Sequence, residues 1–291
     1  MVDGQGAVRS AIAATVVIAA LSVTGCGGSS SAKPEPTVPA GPKVLRIVFP
    51  EGFTREQMAE RITAVRAIAE QRRGVTPRLT ANGYLAATAS STLPGRFAGD
   101  GIRRSLEGFL FPATYAFSSN EGARKLVRRQ LATFRRTFGR VDLGYARSKY
   151  LTPYDILIIA SMIEREVVVP KERRLVAAVV YNRLHARMPL QIDATLRYGL
   201  GIPPTEPITK AQLSSSSPFN TRTRPGLPPT PIANPGLASL RAAAHPAHLP
   251  YLYFVRKPDC RSHFFTASYN EFLSYTRKGL QCSQGRPGSS G

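Results

Sequence analysis

TPYDILIIASMIERE, residues 152–166, is the stretch on which the reading of this chain turns. Thr152 is a helix N-cap residue. Pro153 fits the first helical position, and Asp155 sits where a carboxylate meets free amides and the positive end of the helix dipole. Ile156 to Ile163 is then apolar on almost every side, and a helix apolar all round belongs in a core. Glu164 follows without a break, one helical turn past Ala160 and Ser161 and two past Leu157. A carboxylate beside so much apolar surface is poorly solvated, and burial favours the protonated form that a general acid must have. Glu166 lies about 200° round the helix from Glu164, so the two do not share a face. The residues alone leave Glu164 open between a general acid and a helix-end carboxylate paired with Arg165, Arg173 or Arg183.

Working outward, Pro170 interrupts the helix and a second begins near Lys171, with Leu175, Val176, Val179, Val180 and Leu184 as its buried stripe. Met188 to Tyr198 reads as extended, which sets Gln191, Asp193 and Thr195 on one face. Amide, carboxylate and hydroxyl at alternate positions suit sugar hydroxyls, and suit a surface strand equally. Ser217 to Gly236 is rich in Pro and Gly, and a loop this long is often functional. A helix over Leu237–Ala244, a strand over Tyr251–Val255, a partner strand over His263–Thr266 and a helix around Tyr269–Tyr275 complete this half.

In the first half, Val44–Phe49 reads as a strand, broken by Pro50-Glu51-Gly52. Thr54 and Gln57 have the spacing of a capping box, and Met58, Ala59, Ile62, Val65 and Ile68 give the following helix one apolar stripe. Helical pieces broken by Gly, Pro and Asn continue to about Arg104.

The 291 residues are 43% hydrophobic and 20% charged, enough apolar material for a core, which excludes wholesale disorder. Lys and Arg total 39 against 18 Asp and Glu, a formal +21 that points to an anionic neighbour. Nucleic acid is not expected as that neighbour, because no recognition motif accompanies the charge. Clusters such as Arg135-Arg136 read as solvated helix faces. No apolar run reaches the ~20 residues of a spanning helix. Ala11–Ala20, apolar apart from Thr15, leads into Val23-Thr24-Gly25-Cys26, which resembles a bacterial lipobox. The expectation is a signal segment over 1–25, lipidation of Cys26, a Gly/Ser/Pro tether over 26–43, and a body held at the outer face of the cytoplasmic membrane. An uncleaved short anchor is the other reading. With Cys26 consumed, Cys260 and Cys282 are left as an even pair in an oxidising compartment, and a disulfide is expected between them. His245, His248, Cys260 and His263 are the only candidate metal ligands weighed, and Pro246 and Pro250 break the helical spacing a zinc protease needs. No metal or cofactor is expected.

Eight motifs then occur in order: LEGFLFPATYAF (106–117), ASMIERE (160–166), VAAVVYNRL (176–184), MPLQIDATLRY (188–198), SPFNT (217–221), GLPPTPIANPG (226–236), YLYFV (251–255) and SHFFT (262–266). Together they resemble the YceG-like (MltG) family of endolytic murein transglycosylases, over roughly Val44 to Tyr275. The resemblance implies an α+β fold, with a small LysM-like subdomain over 44–104 and a mixed α/β catalytic domain over 105–283; residues 284–291, with almost nothing to bury, read as a disordered tail. It implies non-hydrolytic cleavage of peptidoglycan strands between N-acetylmuramic acid and N-acetylglucosamine, leaving 1,6-anhydro ends and limiting nascent strand length. Peptidoglycan synthases would be partners. Glu164 is then the catalytic acid. Glu107, Tyr115, Ser161, Glu166, Asn182, Gln191, Asp193, Thr195, Tyr198, Asn220 and Thr221 become substrate-binding candidates. Ala113, Arg222 and Thr230 depart from the family pattern, where Asp, Tyr and Gly are usual. A non-catalytic glycan-binding lipoprotein of the same fold is the alternative.

Overall fold

The computed structural model of the chain describes residues 44–89, 91, 93, 97, 103–280 and 282. The expected signal segment over 1–25, Cys26, the tether over 26–43 and the tail over 284–291 lie outside the described residues. Among the described residues no helix is long and apolar enough to cross a membrane.

The first strand, β1 (Val44–Val48), alternates exposed and buried residues, so Leu45 and Ile47 face the core. The first helix, α1 (Arg55–Arg73), opens on the expected capping box: Thr54 Oγ1 accepts the Gln57 N–H, and Gln57 Oε1 accepts the Thr54 N–H. Gly74, at φ 59°, closes it in the left-handed conformation that glycine adopts without strain. The stripe is narrower than expected. Met58, Ala59, Ile62 and Ala69 are buried, and Ile68 is 52% exposed because it sits about 80° round the helix from Met58. A short helix α2 (Ala81–Thr88) follows, capped by Thr80.

Strand β2 (Thr114–Ser118) pairs antiparallel with β1, with Ile47 opposite Tyr115 and Leu45 opposite Phe117. The strand of the first stretch thus closes its sheet with a strand from beyond residue 104, and one hydrophobic cluster runs from Leu45 to Ala244. Helix α3 (Ala123–Phe138) buries Leu126, Val127, Phe134 and Phe138 and turns Arg124, Arg128, Arg135 and Arg136 outward, and α4 (Gly144–Ser148) is a single turn.

Helix α5 (Pro153–Glu166) is the centre of the molecule. Thr152 and Asp155 cap it reciprocally, and every residue from Ile156 to Ile163 is buried. Helix α6 (Arg173–His185) starts after a 3₁₀ turn over Pro170–Glu172. It buries Val176 to Tyr181 all round rather than along the expected stripe, because α5 and a later helix, α9, both pack on it.

The extended reading of Met188–Tyr198 is corrected. Gln191 turns the chain at φ 55°, and Asp193–Leu200 is a helix, α7. Gln191, Asp193 and Thr195 therefore do not share a strand face. Helix α8 (Lys210–Leu213) is one turn, and the chain then runs without a helix or strand to α9 (Leu237–Ala244), found where expected. Strands β3 (Tyr253–Arg256) and β4 (His263–Thr266) form a second antiparallel pair, and α10 (Tyr269–Arg277) packs beside them. Cys260 and Cys282 are disulfide-bonded with Cα atoms 4.9 Å apart.

Candidate active site

Glu164 stands in the last turn of α5 with its side chain 6% exposed. Its Oε2 accepts the N–H of Gly236, the N-cap of α9, at 3.0 Å. Its Oε1 lies 3.8 Å from Arg173 Nη2. Arg173, at the start of α6, is steadied by donating Nε–H to Ser239 Oγ on α9. Three helices therefore meet at one carboxylate. Of the basic partners weighed from the sequence, Arg173 is the one that pairs; Arg165 donates instead to the Gly52 carbonyl, and Arg183 to carbonyls of Pro189, Leu190 and Leu252.

The turn after β1 brings a second acid to the same place. Gly52 holds φ 80° and donates to the Asn234 carbonyl at 2.9 Å, and a Cβ added there would meet Glu164 Cγ at 3.4 Å. This sets the Glu51 carboxylate directly over Gly236, where a Cβ would overlap it. Burial pushes the Glu51 carboxyl above its ordinary value; the Glu164 charge adds to the rise and Arg173 opposes it.

Asn234 fastens the loop that carries Gly236. Its N–H and Nδ2 both donate to the Phe53 carbonyl, its Nδ2 also to Glu107 Oε1, and its Oδ1 accepts the Leu110 N–H. Ile232 N–H donates to Ser161 Oγ one turn below Glu164. The Pro/Gly-rich loop is thus sewn to α5, to the β1–α1 turn and to the segment before β2.

Glu166 faces elsewhere, as its place on the helix requires. Its Oε1 accepts the Ala194 N–H at 3.4 Å, and Arg256 Nη2 donates to its backbone carbonyl. Burial raises its carboxyl, Arg256 opposes the rise and Asp193 adds to it. Asp193 is exposed and ion-paired with Arg222.

The other sequence candidates divide by burial. Glu107 is 1% exposed and accepts from Arg55 N–H, Asn234 Nδ2 and Tyr198 OH. Ser161, Thr195, Asn220 and Thr221 are also buried, their polar atoms committed to neighbours: Thr221 Oγ1 accepts the Ile192 N–H and meets Thr195 Oγ1. Asn220 Nδ2 donates to the Leu213 and Ser215 carbonyls. Tyr115 donates to the Phe111 carbonyl under the β1–β2 sheet. Asn182 donates to the Leu249 and Tyr251 carbonyls. Gln191, Asp193 and Tyr198 keep surface to offer. The structure brings together Glu107 with Tyr198, Thr195 with Thr221, and Glu166 with Asp193, and leaves Glu164 apart from the other candidates. The sequence reading passed over Glu51, Gly236, Ser239 and Asn234. The available signal was Pro50-Glu51-Gly52 itself, a turn motif with a carboxylate at its tip.

Among the described residues no three His, Cys, Asp or Glu side chains gather as a metal group. His245 faces Asp142, His248 packs edge-on to Tyr145, and His263 bonds Glu172. The chemistry the site offers is proton transfer by carboxylates.

The YceG-like family model matches residues 33–278. An endolytic murein transglycosylase of Bacillus subtilis (strain 168) is 36% identical over 158 residues, 54% of this chain and 44% of that protein. One from Streptococcus pneumoniae (strain ATCC BAA-255 / R6) is 29% identical over 237 residues, 75% of this chain and 41% of that protein. The chain thus spans less than half the length of these curated relatives. The crystal structure of a yceG-like protein from Listeria monocytogenes matches with a TM-score of 0.63 at 28% identity, over 79% of this chain and 75% of that one.

Proposed function

The chain belongs to the YceG-like family, and from that membership we propose that it is an endolytic peptidoglycan lytic transglycosylase with Glu164 as its acid. What supports the reading is the junction of three helices at Glu164, where an almost wholly buried carboxylate meets the Gly236 N–H and the Arg173 guanidinium.

In the proposed cycle Glu164 gives its proton to the glycosidic oxygen between N-acetylmuramic acid and N-acetylglucosamine as the C1–O4 bond breaks. The carboxylate left behind is held by the Gly236 N–H and Arg173. It then takes the proton of the muramyl 6-hydroxyl as that oxygen closes on C1, which leaves the 1,6-anhydro end and restores the acid. Ordinary glycosidases need a second carboxylate to act as nucleophile or to activate water. Here the substrate supplies its own nucleophile, so one glutamate can serve both proton transfers. Asp193 and Glu166, on the other side of α5, would offset positive charge developing on the sugar.

The rest of the reading concerns placement. Two or more acyl chains on Cys26 would anchor the body stably at the outer face of the cytoplasmic membrane. The tether would let it reach nascent strands beside the synthases that make them, and so limit their length.

The test is mass spectrometry of products from purified glycan strands. Anhydro ends from the unaltered chain, and a loss of about 10²–10⁴-fold or more in Glu164→Gln, are expected. Reducing ends would mean a hydrolase, and full activity in Glu164→Gln would remove the assignment.

A further inference from the structure

We propose that Glu51 is a positioning residue for the transglycosylase reaction, a second carboxylate set over Gly236 that makes it and Glu164 keep one proton between them from one turnover to the next. The inference rests on the reading of Glu164 as the acid and adds to it a partner 113 residues earlier in the chain.

The geometry is built, and several elements cooperate to produce it. Gly52 needs its positive φ to swing the chain from β1 into α1, and its N–H and carbonyl are tied to Asn234 and Arg165. Glu51, one residue earlier, is thereby delivered to α9. Gly236 must lack a side chain for the carboxylate to lie there, and the same Gly236 presents its N–H to Glu164. Two acids thus converge on one glycine. The charged groups facing Glu51 are Glu164 from α5 and Arg173 from α6.

Two carboxylates this near each other resist double ionisation. Glu164 is met by the Gly236 N–H and by Arg173, and the Glu51 carboxylate lies against the same glycine. One proton on the pair with Arg173 beside it balances the site at a single negative charge against a single positive one. Burial and the Glu164 charge both push the Glu51 carboxyl up, in accord with a shared proton. The proton count closes within the cycle. The proton given to the leaving oxygen is replaced by the one taken from the 6-hydroxyl, so the pair needs no outside donor.

The experiment follows the Glu51 carboxyl by carbon NMR in the full chain labelled at glutamate, with its resonance assigned by loss in Glu51→Gln. In Glu164→Gln the Glu51 midpoint should fall by about 1 pH unit, the coupling at which two groups titrate as a pair. In strand cleavage, Glu51→Gln should move the alkaline limb of kcat/KM to lower pH. Glu51→Asp should restore part of the shift, and Gly236→Ala, which displaces the carboxylate by contact while leaving Glu51 itself in the sequence, should copy Glu51→Gln. A Glu51 midpoint indifferent to Glu164, or a Glu51→Gln profile lowered in height but unmoved in pH, overturns the proposal. The NMR arm needs no turnover. An unaltered chain that cleaves nothing therefore sinks the transglycosylase reading and the catalytic part of this one, while the coupling is still decided.

Discussion

Asn234 Nδ2 donates to Glu107 Oε1 at 2.7 Å although 127 residues separate the two. Neither group is spare. Glu107 also receives the first N–H of α1 from Arg55, and Asn234 also holds the Phe53 carbonyl and the Leu110 amide. The bond therefore ties the loop carrying Gly236 to the turn carrying Glu51, and the two acids are placed by a buried polar network beneath them.

Glu107 should give the protein a pH-dependent stability. Burial pushes its carboxyl up to about 8 from an ordinary 4.5, because desolvation outweighs the Arg55 N–H and the Arg55 charge that oppose it. The folded state then binds the proton more tightly than the unfolded state. Its contribution is fully present below pH 4.5 and is lost as the pH rises towards 8. Urea unfolding at intervals across that window should show stability falling with pH, and Glu107→Gln should flatten the slope. An equal slope in the variant would rule out Glu107 as its source.

Gly108→Ala should destabilise strongly without touching the acids. Gly108 holds φ 86°, and a Cβ there would lie 2.6 Å from Pro231 Cβ and 3.3 Å from Leu157 Cδ2. The left-handed backbone and the overpacking together should cost about 2–4 kcal/mol. Denaturant unfolding reads it, and a loss within 0.5 kcal/mol, of the order of a neutral surface change, would mean that the loop simply moves away.

What could be read in advance was local. Thr54 with Gln57, and Thr152 with Asp155, carry their helix starts within four residues, and Leu237–Ala244 is bounded by Gly236 and the His245-Pro246 break. What could not be read depends on distant partners. Nothing near Val44 says that β1 pairs with Thr114–Ser118. Gln191 reads as an alternating strand residue until Thr221 accepts its N–H and Arg183 holds its side chain, which fixes a turn and lets a helix follow. Glu51 sits in a recognisable turn, but its meaning comes from the α9 N-terminus, 185 residues on at Gly236.

Breaking the Glu172–His263 pair should be costly. Glu172 Oε1 accepts the His263 N–H at 3.1 Å and Oε2 meets Nδ1 at 2.7 Å, with both side chains almost wholly buried. The pair fixes β4 to the start of α6. Glu172→Ala leaves a buried imidazole and a buried amide without an acceptor, and should lose about 3–5 kcal/mol. Glu172→Gln, which can still accept through its amide oxygen, should lose less. Thermal and urea unfolding of the two variants decides the order, and equal losses would show that the contact is packing alone.

The Cys260–Cys282 disulfide should stabilise the β3–β4 end. It spans 22 residues and encloses β4 and α10, and the Cys282 N–H also donates to the Arg256 carbonyl. Chain entropy assigns a loop of this length about 3 kcal/mol. Unfolding with and without reductant should differ by that order, and non-reducing peptide mapping should recover the two cysteines in one linked peptide. Both thiols alkylated without prior reduction would refute the bond.

Glu166→Gln should spare most of the activity that Glu164→Gln removes. The two stand about 200° apart on α5, and their partners are correspondingly different. Glu164 meets Gly236 and Arg173, whereas Glu166 meets Ala194, with Arg256 and Asp193 near by. A glutamine at 166 keeps an oxygen for the Ala194 N–H, and Arg256 keeps its bond because it uses the backbone carbonyl. What is lost is one buried charge, and burial already disfavours that charge, so folding stability should hold or rise slightly at neutral pH. The rate should drop by less than about tenfold, the share of a charge that assists from the far side of the helix, against about 10²–10⁴-fold or more for loss of the general acid. Strand-cleavage rates and urea midpoints measured on both variants separate the cases. A folded Glu166→Gln as inactive as Glu164→Gln would mean that the reacting sugar lies against the Ala194 face, and that Glu164 is not the acid on its own.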